Sequence, residues 1–101
     1  MEIMTKCENR CLTFFLKGEL DHHGARGLIA RLEREIEIHL PWKMVLDFSE
    51  VTFMDSSGIA VVVQTARALA RCGGTLSVVN TPPQAKKVLT CAGIHRMVDI
   101  R

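Results

Sequence analysis

The feature that most constrains this chain is an alternation of two periods. Short apolar runs bounded by turn residues are interleaved with longer stretches whose apolar residues recur every three or four positions. The runs suit buried strands, and the longer spacing marks one buried face of a helix. Residues 2–7 and 11–16 read as two strands, and the polar Glu8, Asn9 and Arg10 between them suggest an antiparallel hairpin. Gly18 is expected to end the second strand. Ala25, Leu28, Ile29, Leu32 and Ile36 then follow helical spacing, with Arg31, Glu33, Arg34, Glu35 and Glu37 on the solvated side. Pro41 stops that helix, and Trp42 is expected to pack where the chain turns back.

The pattern then repeats. Met44 to Phe48 reads as a buried strand, with a polar turn expected at Ser49 and Glu50. The stretch FMDSSG, Phe53 to Gly58, opens a second helix whose expected inner face is Ile59, Val62, Val63, Ala66 and either Leu69 or Ala70. Gly73 and Gly74 end it, as a glycine C-cap does. Thr75 to Val79 is the next strand. Thr81 is expected to cap a third helix that carries Pro82 and Pro83 in its first turn, turns Ala85, Val88 and Leu89 inward, and closes at Gly93. Met97 to Ile100 is the last short strand.

The resulting order, β-β-α-β-α-β-α-β, predicts an α/β domain. Its mixed sheet joins the N-terminal hairpin to parallel strands made by right-handed crossovers, with three to four helices packed on it. Parallel strands place their strand-to-helix loops at one end of the sheet. GELDHH (Gly18 to His23) and FMDSSG are two such loops, so Asp21 and Ser56 are expected to share an edge.

Bulk properties exclude several classes of partner. A chain of 101 residues fits one domain, here residues 1–101. The net charge is +2 and the 13 Lys and Arg are scattered, which argues against nucleic acid and membrane surfaces as partners. The N-terminal MEIMTKCENR has no signal-peptide character and the apolar runs fall short of a membrane span, so a cytoplasmic location is expected. Cys7 and Cys11 could face each other across the hairpin. For all four cysteines the simpler expectation is reduced thiols used as small hydrophobes, with no metal site, because no CxxC pair is present. A monomer is expected, since no apolar stripe is left over.

The chemistry concentrates in DSSG. Asp and Ser are among the best helix N-caps, and losing such a cap costs about 1 kcal/mol. Capping alone does not account for an aspartate and two serines, since one side chain would suffice. Neither serine fits the G-x-S-x-G elbow of a nucleophile. A serine triad would have to recruit His22, His23, His39 or His95 with an orienting partner. The pair Asp21 and Asp55 could form a carboxylate dyad, but a domain this small offers no deep pocket. No Walker A or G-x-G-x-x-G loop occurs. Catalysis, no catalytic residue and no cofactor being indicated, is therefore not expected. A third role is phosphate acceptance. A helix N-terminus accommodates an added phosphate, and its charge of about −1.5 to −2 beside Asp55 would change what the edge binds.

Three stretches in order, GELDHH, VLDFSEVTFMDSSG and GGTLSVVNTPPQAKKVLTCAGI, resemble the STAS-domain anti-sigma factor antagonists, with GELDHH pointing to the sporulation branch. The resemblance covers nearly the whole chain. It implies a STAS fold and a partner switch in transcription regulation. The unmodified protein binds an ATP- or ADP-bound anti-sigma factor serine kinase and so releases a sigma factor. The kinase phosphorylates the first serine of DSSG, ending the binding, and a metal-dependent PP2C-type phosphatase restores it. Carried over by motif position, Ser56 is the phosphoacceptor, and Asp21, Asp55, Ser56, Ser57 and Gly58 belong to the partner-binding surface. The same fold also serves general stress-response antagonists and ligand-binding STAS regulators, and a small serine hydrolase is the reading of a different class. Members of the group often continue into a further C-terminal helix beyond the last strand. Ala60 stands where sporulation members tend to carry glycine.

Overall fold

A computed structural model describes residues 1–101. Its elements follow the expected order: β1 (Glu2–Glu8), β2 (Cys11–Leu20), α1 (His22–His39), β3 (Lys43–Met54), α2 (Ser57–Arg71), β4 (Thr75–Val79), α3 (Pro83–Cys91), a one-turn 3-10 helix (Ile94–Arg96) and β5 (Asp99–Ile100). The strands form one sheet in the order β1-β2-β3-β4-β5. β1 and β2 are antiparallel, and every later pairing is parallel.

The hairpin closes on two residues only, Asn9 and Arg10, both with positive φ. That is the backbone whose twist matches the flanking strands. It sets Cys7 opposite Leu12 and Glu8 opposite Cys11. Cys7 and Cys11 therefore point to opposite faces of the sheet, and the possible bridge between them is excluded. Nor do the thiols fill the core as expected: Cys7, Cys72 and Cys91 are exposed and Cys11 is half-buried.

Two strands run further than their composition suggests. Gly18 does not end β2; it lies within the strand at φ +115°, where the register with β3 shifts, and the strand continues to Leu20. The expected turn at Ser49 and Glu50 is likewise strand. β2 keeps supplying ladder partners there, pairing Lys17 with Glu50 and Gly18 with Val51, up to Leu20 with Met54. On its other side β3 meets β4 only over Lys43 to Asp47. Residues 48–54 of β3 thus project past the pairing with β4 and carry DSSG with them.

One face of β2 and β3 is buried through Leu12, Phe14, Leu16, Met44, Leu46 and Phe48, while Phe15 and Lys17 remain exposed on the other. Ala25, Leu28, Leu32 and Ile36 of α1 enter this core as expected. In α2 the buried face is rotated from the expected one. Val61, Val62, Thr65, Ala68 and Leu69 are buried, Ile59, Val63 and Ala66 only partly, and Ala70 is exposed. Thr65 fits a core position because its hydroxyl donates to the Val61 carbonyl, 2.6 Å away.

Three further expectations fail. Trp42 is 62% exposed, and the Arg10 guanidinium lies 4.5 Å over its ring while donating to the Leu40 carbonyl. Thr81 does not cap α3: its hydroxyl has no hydrogen-bond partner, and Pro82 occupies the cap position. The helix begins at Pro83, so Thr81 lies one residue before the cap position. The last strand is shorter than expected, with Met97 exposed before it. No helix is long and apolar enough to cross a membrane.

Candidate functional site

The loops after β2 and β3 meet because their strands are hydrogen-bonded neighbours whose last residues, Leu20 and Met54, pair with each other. The Asp55 amide donates to the Leu20 carbonyl at 3.2 Å, which fixes the two loops against each other. Asp21 and Asp55 thus lie on one edge, as their parallel strands predict.

The two acids have the same local role. Asp21 is the N-cap of α1 and accepts a hydrogen bond from the His23 amide at 3.0 Å. Asp55 accepts from the Ser57 amide at 2.8 Å through Oδ1. Its Oδ2 faces His22 Nδ1 at 3.8 Å, and the His22 ring lies against that of His23. The Ser57 N–H is the main cause that holds the Asp55 carboxyl below its ordinary value of 3.8, with slight burial opposing and the Ser57 hydroxyl and His22 adding.

Because Asp55 does the capping, Ser56 is released from it. Ser56 occupies the cap position of α2 with a helical backbone (φ −63°, ψ −18°), its side chain makes no cap hydrogen bond, and the residue is exposed. Ser57 is half-buried in the first turn. Gly58 is buried, and any side chain there would collide with Met54 and press on Leu20. It therefore shapes the helix start rather than presenting a surface group. His22 Nδ1 faces Asp55, and no hydrogen bond joins a histidine ring to Ser56 or Ser57, so the base–nucleophile contact of a triad is not made.

Gln84 of α3 is a supporting residue that the sequence did not single out. Its side-chain oxygen accepts from the Met54 amide at 2.9 Å and its nitrogen donates to the Met54 carbonyl at 2.8 Å. This replaces the ladder partner that β4 does not reach. Sequence patterning carries no signal for it, since the need arises only from the unequal lengths of β3 and β4. His22 was visible in GELDHH as a candidate base, but not as the neighbour of Asp55.

On this edge Asp55 is half-buried and Ser56 exposed. Beside it a groove of about 410 Å³ runs between His22, Arg26 and Ile29 of α1 and Ser57, Ala60 and Gln64 of α2. The larger concavity, about 490 Å³, lies at the other end of the strands against Lys43, Thr75 and Arg101 and contains none of these residues. The site resembles a docking edge with an accessible hydroxyl more than a substrate cleft.

Comparison with known proteins gives the family and the fold. The STAS domain matches residues 2–101. The chain is 28% identical over 85 residues to the anti-sigma F factor antagonist of Paenibacillus polymyxa, spanning 84% of this chain and 73% of that one. Identity to the anti-sigma F factor antagonist of Lysinibacillus sphaericus is 30% over 79 residues, covering 78% and 68%. Among solved structures, the anti-sigma factor antagonist SpoIIAA in its unphosphorylated form superposes with a TM-score of 0.86 at 26% identity, over 99% of this chain and 88% of that one. The phosphorylated form of the Bacillus protein superposes at 0.77, again at 26% identity, over 99% and 91%.

Proposed function

The chain belongs to the STAS domain family, and on that premise we propose that it is an anti-sigma factor antagonist operating a phosphorylation-controlled partner switch of the sporulation type. Unmodified, the Asp21–Ser56 edge binds an anti-sigma factor that is a serine kinase, and a sigma factor is freed. The kinase transfers a phosphoryl group from ATP to Ser56, and binding ends. A PP2C-type phosphatase reverses the modification. ATP and its metal belong to the partner, so this chain is substrate and ligand rather than catalyst.

One observation carries the reading: at the start of α2 the capping bond is made by Asp55, which leaves the exposed Ser56 hydroxyl unengaged. A hydroxyl held in a cap would have to break that bond before reacting. Ser56 is free to enter a kinase site, and the phosphate it acquires would sit at the positive end of a helix. Asp55, Ser57 and the backbone at Gly58 frame the group, and Asp21 contributes the adjoining acid. The names of the relatives, anti-sigma factor antagonists, support the antagonist reading.

Incubation with an anti-sigma factor serine kinase and ATP is expected to add one phosphate, located at Ser56 by mass spectrometry and abolished by Ser56→Ala. Labelling that survives Ser56→Ala and disappears in Ser57→Ala would overturn the assignment.

A further inference from the structure

At the opposite end of the sheet from DSSG, the end of β1 and the last turns of α1 bring three reactive side chains into a line. Cys7 Sγ lies 3.8 Å from His39 Nδ1. His39 Nε2 lies 3.0 Å from Glu35 Oε2, one helical turn earlier. The other carboxylate oxygen of Glu35 is 3.7 Å from Arg31 Nε, and Arg31 also reaches the Thr5 hydroxyl on β1 at 3.4 Å. Lys6 and Glu8 pair with each other at 3.3 Å, and alternation along the strand puts them on the opposite face from Cys7.

In the neutral ring these contacts select the tautomer. A carboxylate can only accept, so Nε2 carries the hydrogen directed at Glu35, and Nδ1 turns its lone pair to the thiol. That is a nucleophile, a base and a group orienting the base, in the arrangement that activates cysteine. Both Glu35 and the C-terminal end of α1, where His39 is the last residue, stabilise the positive charge the ring acquires on taking the thiol proton. Cys7 is exposed, so a reagent can reach it.

We propose that Cys7, with His39 as its base and Glu35 as the positioning residue, is a thiol-modification site that reacts with small organic disulfides. The Cys7 S–H proton passes to His39 Nδ1 as Sγ attacks one sulfur of the disulfide. A new S–S bond joins Cys7 to that sulfur, the original S–S bond breaks, and the departing thiolate takes the proton from His39 and leaves as a thiol. Cys7 is oxidised to a mixed disulfide and the reagent is reduced by the same two electrons, so no other oxidant is needed. The mixed disulfide forms against the β1 edge, remote from Asp21 and Ser56, and its formation is independent of the partner switch.

The test is the reaction of the reduced, full chain with dithiobis(nitrobenzoate), followed by release of the coloured thiolate across neutral pH. One of the four thiols is expected to react fastest. Its phase disappears in Cys7→Ser and persists in Cys72→Ser and Cys91→Ser. In His39→Gln that phase slows by about tenfold or more and its rate shifts to higher pH, as loss of a general base requires. Glu35→Gln falls between the two. An unchanged far-ultraviolet circular dichroism spectrum and urea midpoint in each variant report that the fold is retained. A fast phase that survives Cys7→Ser, or a Cys7 rate and pH profile indifferent to His39→Gln, would overturn the proposal.

Discussion

At the level of single residues, Asp55 and Ser56 divide two tasks that either could perform. Both are good caps, and the sequence alone leaves open which side chain the helix uses. The geometry decides it: Ser56 already has helical φ and ψ, so the preceding residue is placed to reach the Ser57 amide. The capping role of DSSG thus falls to Asp55, which leaves Ser56 free for the proposed modification. The capping bond also makes the contribution of Asp55 to stability depend on pH. Its carboxyl is more acidic in the folded chain than the ordinary 3.8, chiefly through the Ser57 N–H. A group whose folded pKa is lowered contributes stability that is complete above its unfolded pKa and is lost as pH falls through the folded value. Urea denaturation of the native chain and of Asp55→Ala, compared from about pH 7 down to about pH 3, is therefore expected to show the native protein more stable at neutral pH, with the difference narrowing in acid. Asp47 is a second such group in both proteins. Burial raises its pKa, but bonds from Ser49 and Asn80 outweigh that and leave it lowered. A difference between the two proteins that stays constant with pH would contradict the role given to Asp55.

At the level of elements, the periodic signals predicted kinds and order well and missed where elements stop. Ser49 and Glu50 have turn composition, yet they stay in β3 because β2 supplies hydrogen-bond partners as far as Met54. In α2 the run of apolar residues from Ile59 to Val63 fills more than one helix face, so spacing could not say which would be buried. Contact with α1 and the sheet selects Val61 and Thr65 over Val63 and Ala66. The same overrun of β3 past β4 creates the need for Gln84. Replacing it in Gln84→Ala leaves the Met54 N–H and C=O without their partners in a partly buried position. The expected loss, by urea denaturation, is about 1–2 kcal/mol. Gln84→Glu keeps the acceptor for the amide but cannot donate to the carbonyl, and is expected to fall between. A change in Gln84→Ala within about 0.5 kcal/mol, the range of ordinary surface substitutions, would show that water replaces the clasp without cost.

At the level of the whole molecule, the placement of Asp21 and Ser56 on one edge was legible because it follows from parallel strand order alone. The Cys7–His39 contact was not, since it joins residues 32 apart through the packing of the hairpin on α1. The two ends of the sheet have separate chemistry, and the core lies between them. Ser56 is outside that core, so a charge added there should alter the surface field and leave folding nearly untouched. The formal net charge of +2 would fall to near zero with a phosphate of about −1.5 to −2, concentrated where Asp55 already stands. Ser56→Asp carries part of that charge. It is expected to unfold within about 0.5 kcal/mol of the native chain while its affinity for the anti-sigma factor, measured by calorimetry, drops by about tenfold or more, a change of about 1.4 kcal/mol or greater. Equal affinity would remove charge as the basis of the switch. Loss of affinity accompanied by an equal loss of stability would instead trace the effect to a disrupted start of α2, and a switch that works by unfolding would not be reversible by removing one phosphate from an intact surface.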